Sequence, residues 1–257
     1  MRNSKTLARL RKNEVARMAV LGHFMPSYVN HAARAGYDCI WLDLEHRGLS
    51  YREVQSLMAF FHLYDIDCLL RAPTLEKTRL YRYLEDGASG IMIPHVSTPE
   101  KAEELVQAVK FPPIGDRGLD NAAMDSGWRE TDDMLAYCEW ANRETFLVVQ
   151  IETPQAVERA DEIVSVEGVD MIFVGPGDLG LRYALEGGDS DAKLEAAFDR
   201  VGEVCAAHNK PWACPAMDAE TMKRRYDQGA RVLANFGEYM HLKNGLNEAV
   251  KDFEKLG

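Results

Sequence analysis

The stretch CIWLDLEH, residues 39–46, begins as a buried strand and ends in charged side chains. A short apolar run starting at Ile40 leads into Asp43, Glu45 and His46. Charged groups that follow a buried strand must reach water or bind a ligand, because an unpaired buried charge is costly. The stretch therefore indicates a strand that delivers polar side chains to the edge of a sheet.

Eight such apolar runs alternate along the chain with segments of helical periodicity. The runs are RMAVLGHF (17–24), CIWLDLEH (39–46), DCLLRAP (67–73), GIMIPHVS (90–97), FLVVQIET (146–153), MIFVGPGD (171–178), KPWACPAM (210–217) and RVLANFGE (231–238). This alternation predicts a parallel sheet covered by helices, closed into a (β/α)₈ barrel that forms one domain over residues 1–257. An open doubly wound sheet is the alternative, less favoured because no G-x-G-x-x-G follows an early strand.

The predicted helices carry recognisable start signals. The proposed caps are Ser27, Ser50 (in a capping box with Glu53), Thr98 and Thr153 (each followed by proline), and Asp218. The first of these helices is expected to end at Gly36, and residues 153–168 are expected to form one helix. Residues 111–128 are too rich in Gly, Pro and Asp for regular structure, and a loop of this length is usually functional.

Charge and hydropathy exclude several classes of protein. The chain has 257 residues, of which 46% are hydrophobic, and a net charge of −11, so it would repel nucleic acid. No apolar run approaches the ~20 residues that span a membrane. The basic start, residues 1–18, lacks the apolar core of a secretory signal. It is expected to form a short helix with Leu7 and Leu10 turned inward, the alternative being an organellar presequence.

The five cysteines are odd in number, widely spaced and free of C-x-x-C pairs. We interpret them as reduced thiols, mostly buried, in a cytoplasmic protein.

Two carboxylates, Glu152 and Asp178, close neighbouring strands 26 residues apart. They would repel each other without a cation, and neither has an obvious Lys or Arg partner nearby in sequence. A hard divalent ion suits such oxygen ligands. Alternatively, Asp178 caps the next helix, or either acid pairs with a surface base.

Further polar residues fall at other strand ends. His46 is either a general base or a structural histidine. The guanidinium of Arg71 is always charged and needs an anion, which is either a ligand or Asp43 or Glu45. The turn at residues 175–178 offers backbone N–H groups to a carboxylate, or is simply a tight βα turn.

Six blocks of the sequence resemble the HpcH/HpaI aldolase family in order and spacing. They are WLDLEH (41–46), LLRAP (69–73), GASGIMIPHV (87–96), FPPIGDRG (111–118), VVQIET (148–153) and VEGVDMIFVGPGDLG (166–180). The likeness runs from about Gly22 to about Phe236. Members of this family are metal-dependent pyruvate aldolases, so the resemblance implies reversible cleavage of a 4-hydroxy-2-oxo acid to pyruvate and an aldehyde.

The resemblance also implies residue roles and an assembly. Glu152 and Asp178 would bind Mg²⁺, Mn²⁺ or Co²⁺, Arg71 would contact the oxo oxygen of pyruvate, His46 would be the base with Asp43 in support, Gln150 would line the pyruvate pocket, and Gly177 and Asp178 would offer backbone N–H groups to the carboxylate. The family is usually hexameric, a trimer of dimers, and its last helix packs on a neighbouring subunit.

These residue types agree with the chemistry. The hydroxyl proton needs a base, for which histidine is suited, and the enolate left behind needs an electron sink. No lysine ends a strand in company suited to a Schiff base, since Lys210 starts one.

Three departures from the family pattern matter. Glu85, beside Asp86, stands where an aspartate often pairs with the base of a neighbouring subunit. Trp212 and Pro215 lie in the strand expected to shape the aldehyde pocket, and the residues after Arg117 differ from the usual small-residue loop. The aldehyde is therefore not evident from the matched blocks.

Two rival functions stay open. One is another lyase on the same scaffold, either a CoA-ester lyase or an oxaloacetate decarboxylase, although Arg117 alone offers little to bind a nucleotide. The other is a non-catalytic barrel that binds a 2-oxo acid.

Overall fold

A computed structural model describes residues 1–256 and shows eight parallel strands that close into a barrel in chain order. The strands are β1 (Ala16–Leu21), β2 (Cys39–Asp43), β3 (Asp67–Arg71), β4 (Gly90–Ile93), β5 (Phe146–Ile151), β6 (Met171–Val174), β7 (Trp212–Pro215) and β8 (Val232–Gly237). Each coincides with one of the eight apolar runs, although β1 begins one residue before its run, so the (β/α)₈ prediction is confirmed and the open sheet is excluded.

Two apolar layers hold the barrel together. Alternate strand residues such as Met18, Met92 and Phe173 fill the interior, and the others pack outward against the helices. Both faces of β3 to β6 are therefore buried at every position, which explains why these strands read as nearly continuous apolar runs.

Twelve helices surround the described barrel. They are α1 (Lys5–Leu10), α2 (Pro26–Ala35), α3 (Tyr51–Leu63), α4 (Lys77–Glu85), α5 (Pro99–Val109), α6 (Met134–Glu144), α7 (Pro154–Glu158), α8 (Ala160–Ser165), α9 (Pro176–Glu186), α10 (Ser190–Ala207), α11 (Ala219–Asp227) and α12 (Glu238–Glu254). No helix within residues 1–256 is both long enough and apolar enough to cross a membrane.

Most of the predicted helix boundaries are confirmed. The caps found as expected are Ser50 with its capping box, Thr98, Thr153 and Asp218, and Gly36 ends α2 in the left-handed conformation. The cap at Ser27 is wrong, because α2 already begins at Pro26, whose fixed φ suits the first helical position. The single helix expected over residues 153–168 is also wrong, because the chain breaks at Arg159 into α7 and α8.

The segment between α5 and α6 contains no helix or strand, as its composition predicts. It is nevertheless fixed to the domain. Arg117 is 4% exposed, lies over the ring of Phe111 and pairs with Asp125 at 2.7 Å, and Tyr137 also donates to Asp125 at 2.6 Å. The loop is thus ordered by a buried ion pair.

The N-terminal segment closes the end of the barrel where the strands begin. Leu7 and Leu10 of α1 pack against the interior cluster, as predicted. Asp67, fully buried at the start of β3, ties the segment down: it accepts from Ser4 Oγ at 2.6 Å and pairs with Arg2 at 2.9 Å.

The last helix, α12, packs on this chain only near its beginning. Farther along it, Leu242, Leu246, Val250 and Phe253 are 54–71% exposed. Their spacing places them on one face of the helix, so this chain alone leaves an apolar stripe uncovered.

We expect Asp67→Asn to lower the free energy of unfolding by about 2 kcal/mol, because hydrogen bonds to a buried charge are worth about 1.5–3 kcal/mol each. Asp65→Asn is the matched control, since Asp65 also pairs with Arg2 and Lys5 but is exposed. It should change stability by less than about 0.5 kcal/mol. Urea unfolding measures both variants, and equal losses would contradict this role of Asp67.

Candidate active site

Polar side chains gather at the carboxyl ends of the strands, where ligands bind in parallel barrels. Asp43 ends β2 and is in register with Arg71, which ends β3. Gln150 lies in β5 and Glu152 follows it, while the turn after β6 leads into α9. The strands thus bring to one mouth the residues that the sequence singled out at their ends.

Arg71 is 6% exposed and bound by two carboxylates. Its Nε and Nη2 contact Asp43 at 3.0 and 2.8 Å, and its Nη1 lies 3.0 Å from Glu45. The guanidinium also lies 4.5 Å from the ring centroid of Trp41. Both structural partners considered from the sequence are therefore present. These contacts occupy three of the five guanidinium N–H groups and leave two for a ligand.

Asp43 holds the loop that carries His46. It accepts the backbone N–H groups of Glu45 at 3.1 Å and His46 at 3.3 Å. Burial raises the pKa of Asp43, but the hydrogen bonds and charge of Arg71 outweigh burial, so this pKa lies below its ordinary value. Asp43 is thus an anion at neutral pH that fixes the loop.

The ring of His46 is 57% exposed, and its Nε2 lies 3.6 Å from Glu45. The carboxylate beside this ring is therefore Glu45, whereas Asp43 supports His46 through the backbone. Glu45 joins the ring of His46 to Arg71.

Glu152 is the most deeply buried acid of the mouth, at 2% exposure. Its Oε1 accepts the backbone N–H of His95 at 2.7 Å and lies 3.0 Å from that residue's Nδ1, and its Oε2 accepts from Gln150. Burial raises the pKa of Glu152; the contacts with His95 oppose this, and the nearby charges of Asp178 and Glu45 add to it. An ionised Glu152 therefore lacks sufficient compensating positive charge.

Gly175 leaves the space that Glu152 and Gln150 occupy. A Cβ at this position would lie 2.5 Å from Glu152 Oε2 and 2.6 Å from Gln150 Nε2. Gly175 precedes α9, and Asp178 lies in the first turn of that helix. The absence of a side chain here lets the end of β5 approach the start of α9.

Asp178 has a basic partner that sequence reasoning missed. Arg182, one turn later on α9, donates to Asp178 Oδ1 at 2.9 Å. The expectation that neither acid has a base nearby is therefore wrong for Asp178. Both side chains are more than a third exposed, so this pair contributes little and a competing cation would displace it at small cost.

His95 is a site residue that the sequence analysis gave no role. Its backbone is in the left-handed region, with φ 54°, and its ring lies between Glu152 and Glu45. It lies two residues after the end of β4, so the rule that selected polar residues at other strand ends would have found it. Lys101 donates to the carbonyl of His95 at 3.0 Å, and burial lowers the pKa of Lys101 while Glu152 opposes that shift.

Glu85 does not join this group within one chain. It ends α4, just before β4 begins, and therefore lies at the opposite end of the barrel from His46. Burial raises its pKa, Arg117 opposes this, and Asp125 adds to it. The adjacent Asp86 accepts a hydrogen bond from Gln55 at 2.9 Å.

Pro215 ends β7 and lines a cavity of about 280 Å³ at the mouth, together with Asp43. The structure thus places Pro215 at the mouth, two strands around the barrel from β5, which leads into Glu152.

Comparisons with known proteins decide the family. A sequence profile of the family described as HpcH/HpaI aldolase/citrate lyase matches residues 18–237. The chain belongs to the HpcH/HpaI aldolase/citrate lyase family.

Two relatives and one solved structure illustrate the similarity. The 4-hydroxy-2-oxovalerate aldolase of Novosphingobium aromaticivorans is 33% identical over 82% of this chain and 79% of its own. The hydroxypyruvate/pyruvate aldolase of Delftia acidovorans is 31% identical over 88% and 84%. The HpcH/HpaI aldolase from Desulfitobacterium hafniense superposes with a TM-score of 0.90 at 27% identity, covering 98% and 97% of the two chains.

The acids of this HpcH/HpaI barrel suit a hard divalent ion. Residues 1–256 contain no group of three or more His, Cys, Asp or Glu side chains arranged to hold a metal. A Mg²⁺-type ion does not need such a group, because it is usually bound by one or two carboxylates with waters and substrate completing the shell. The buried Glu152, with its uncompensated charge, and the accessible Asp178 fit this pattern.

We expect Gly175→Ala and Gly177→Ala to change stability in opposite directions. The first substitution forces a methyl group against Glu152 and Gln150, and overpacking costs about 1–3 kcal/mol. The second meets no atom within 4 Å and stiffens the first turn of α9, which should add up to about 1 kcal/mol. Thermal unfolding compares the two variants, and a Gly175→Ala protein as stable as wild type would contradict the close approach.

Proposed function

We propose that this carbon–carbon lyase reversibly cleaves a 4-hydroxy-2-oxo acid into pyruvate and an aldehyde. Family membership and the names of the aldolase relatives support the reaction class. The observation that carries the proposal is the mouth itself, where a buried carboxylate in need of a cation shares one end of the barrel with a guanidinium held by two carboxylates and with an exposed histidine.

Glu152 and Asp178 would hold the divalent ion, with Mg²⁺, Mn²⁺ and Co²⁺ as candidates. When bound, such an ion supplies a Lewis acid that stabilises negative charge on the 2-oxo oxygen. Gln150 positions Glu152 through its amide N–H, and its own Oε1 is buried without a donor in the described chain. A buried acceptor of this kind costs about 1–3 kcal/mol unless a ligand or water donates to it.

The pyruvate carboxylate would bind at the beginning of α9. Gly177 and Asp178 lie in the first turn of that helix, where backbone N–H groups lack intrahelical acceptors and favour anions. Arg71 would direct its two remaining N–H groups at the 2-oxo oxygen, where charge develops as the carbon–carbon bond breaks.

His46 would accept the proton of the 4-hydroxyl group. Its ring is accessible to a substrate in the mouth, and the neighbouring Glu45 stabilises the imidazolium that forms. In the condensation direction the same ring returns that proton to the oxygen of the aldehyde.

We expect full chelation with EDTA to lower pyruvate release by at least about a hundredfold, because the charge on the 2-oxo oxygen loses its main stabilisation.

His46→Ala should lower kcat by about 10²–10⁴-fold, the usual contribution of a general base. Coupled pyruvate assays on a 4-hydroxy-2-oxo acid measure both effects.

Borohydride reduction in the presence of pyruvate provides the control for imine chemistry. Lys101 is the lysine in contact with the site, so a Schiff-base enzyme would be trapped there and would survive chelation. Mass spectrometry should find no adduct on Lys101. An adduct together with EDTA-resistant turnover would overturn the metal-dependent mechanism.

We also propose that the protein is a homo-oligomer in which α12 packs on a neighbouring subunit and Glu85 reaches the His46 of another chain. The uncovered apolar stripe of α12 supports the first part. The position of Glu85, at the barrel end opposite to its own His46, supports the second, because a contact between them then requires two chains. A trimer of dimers is the expected assembly.

Mixing variants tests the shared site. His46→Ala and Glu85→Ala should each be impaired, whereas randomly mixed oligomers should recover activity at about one site in four, since a mixed pair holds one intact site. Mixing His46→Ala with Arg71→Ala is the control, because those two residues share one mouth, and it should recover nothing. Full activity of Glu85→Ala alone would contradict its role.

The position of Arg117 argues against the rival function of a CoA-ester lyase. Arg117, the basic residue considered for a CoA nucleotide, is buried and paired with Asp125. It is therefore not accessible to a phosphate group.

A further inference from the structure

The mouth contains a second compartment beside the pyruvate site. A cavity of about 280 Å³ lies where β1, β2, β7 and β8 end, and Gly22, Asp43, Pro215 and Gly237 are among its lining residues. The residues proposed to bind pyruvate come from β3, β5 and the start of α9 instead. Asp43 belongs to both groups, because it lines the cavity and binds Arg71. An aldehyde bonded to pyruvate would therefore extend into this cavity.

The wall of the cavity is mainly apolar. Its side chains include Val20, Trp41, Pro215, Met217, Phe236 and Met240. The indole nitrogen of Trp41 is buried and has no acceptor among residues 1–256. A single neutral N–H group of this kind does not compensate the charge of a carboxylate. An apolar wall favours a guest whose surface is hydrocarbon.

The acidic and amide side chains of the lining already have partners. Glu238 accepts the backbone N–H of Gly22 at 2.9 Å and lies 2.6 Å from His23 Nδ1. Asn235 accepts from Tyr37 at 2.9 Å. With Asp43 bound to Arg71, none of these oxygens needs a donor from a substrate.

Arg47 is the one cation among the described residues that line the cavity. Its Nη1 donates to the carbonyl of His46 at 2.9 Å, and its Cγ lies where a Cβ on Gly22 would come within 2.7 Å. The residue is exposed, so its charge lies at the rim in contact with water. A surface cation of this kind attracts anions only weakly.

We propose that the aldehyde partner carries a short, uncharged hydrocarbon group, which this cavity binds. The inference rests on the proposed aldol reaction and adds the substrate class to it. The size agrees with a small guest, because pockets for drug-sized ligands are about 300–1,000 Å³. A terminal carboxylate would lose its hydration against apolar walls without gaining a buried partner.

The experiment compares four-carbon aldehydes with pyruvate and Mn²⁺. Butanal should exceed 4-oxobutanoate, which ends in a carboxylate, by at least about tenfold in kcat/KM. From propanal to pentanal each added CH₂ should raise kcat/KM about fourfold until the cavity is full. A preference for 4-oxobutanoate, lost in Arg47→Gln, would show that Arg47 recognises a carboxylate and would overturn the proposal.

Deuterium exchange at C3 of pyruvate in D₂O tests the enolisation of pyruvate separately from the choice of aldehyde, because this exchange needs no aldehyde. Exchange combined with a preference for 4-oxobutanoate would overturn the acceptor class alone. If neither exchange nor aldol product is found, the proposed function fails and the acceptor class fails with it.

A substitution in the wall sharpens the test. Met217→Lys places a cation at the cavity and should shift the ratio of 4-oxobutanoate to butanal turnover about tenfold toward the acid. Leu185→Lys is the matched control, because Leu185 is 80% exposed near the end of α9, at the opposite end of the barrel. It should leave both the ratio and the exchange rate unchanged, and an unchanged ratio in Met217→Lys would contradict the proposal.

Discussion

A buried carboxylate that lacks sufficient positive charge is the constraint around which the mouth is arranged. Glu152 receives one amide from Gln150 and one backbone N–H from His95, yet burial still raises its pKa. The nearby Asp178 adds negative charge, which raises the electrostatic cost of ionising Glu152 in the bare protein. In a protein that holds a divalent cation, the same charge would help to neutralise the ion. The same arrangement that costs stability in the absence of an ion would thus create affinity for one.

Arg71 presents the opposite situation, since its charge is largely neutralised before any ligand binds. Asp43 and Glu45 hold the guanidinium in one orientation, and Glu45 also links it to the ring of His46. Fixed dipoles and charges stabilise a transition state without reorganising at the moment of reaction. The carboxylates around Arg71 therefore serve orientation, although they weaken its attraction for a bound anion.

The barrel could be predicted from the sequence because its strands are largely buried on both faces and read as apolar runs, with capped helices such as the one after Ser50 between the runs. The positions of Arg71 and Glu152 at the mouth could also be predicted, because a charged side chain at the end of a buried strand must reach water or a ligand. Contacts that depend on three-dimensional placement were missed. His95 reaches Glu152 through a left-handed backbone conformation, and Arg182 reaches Asp178 from one turn along α9. Neither contact is visible in hydrophobic periodicity.

The two halves of the mouth differ in what constrains their residues. The half proposed to bind pyruvate would have to place charges within hydrogen-bonding distance of fixed atoms, which restricts both residue type and position at Arg71, Glu152 and Asp178. The other half excludes water and fills space, and many apolar side chains of suitable size do this equally well. The residues near Met217 and Phe236 can therefore change while the chemistry stays the same. This difference explains why the reaction class can be predicted from the matched sequence blocks. The class of aldehyde can be proposed only from the shape and polarity of the cavity.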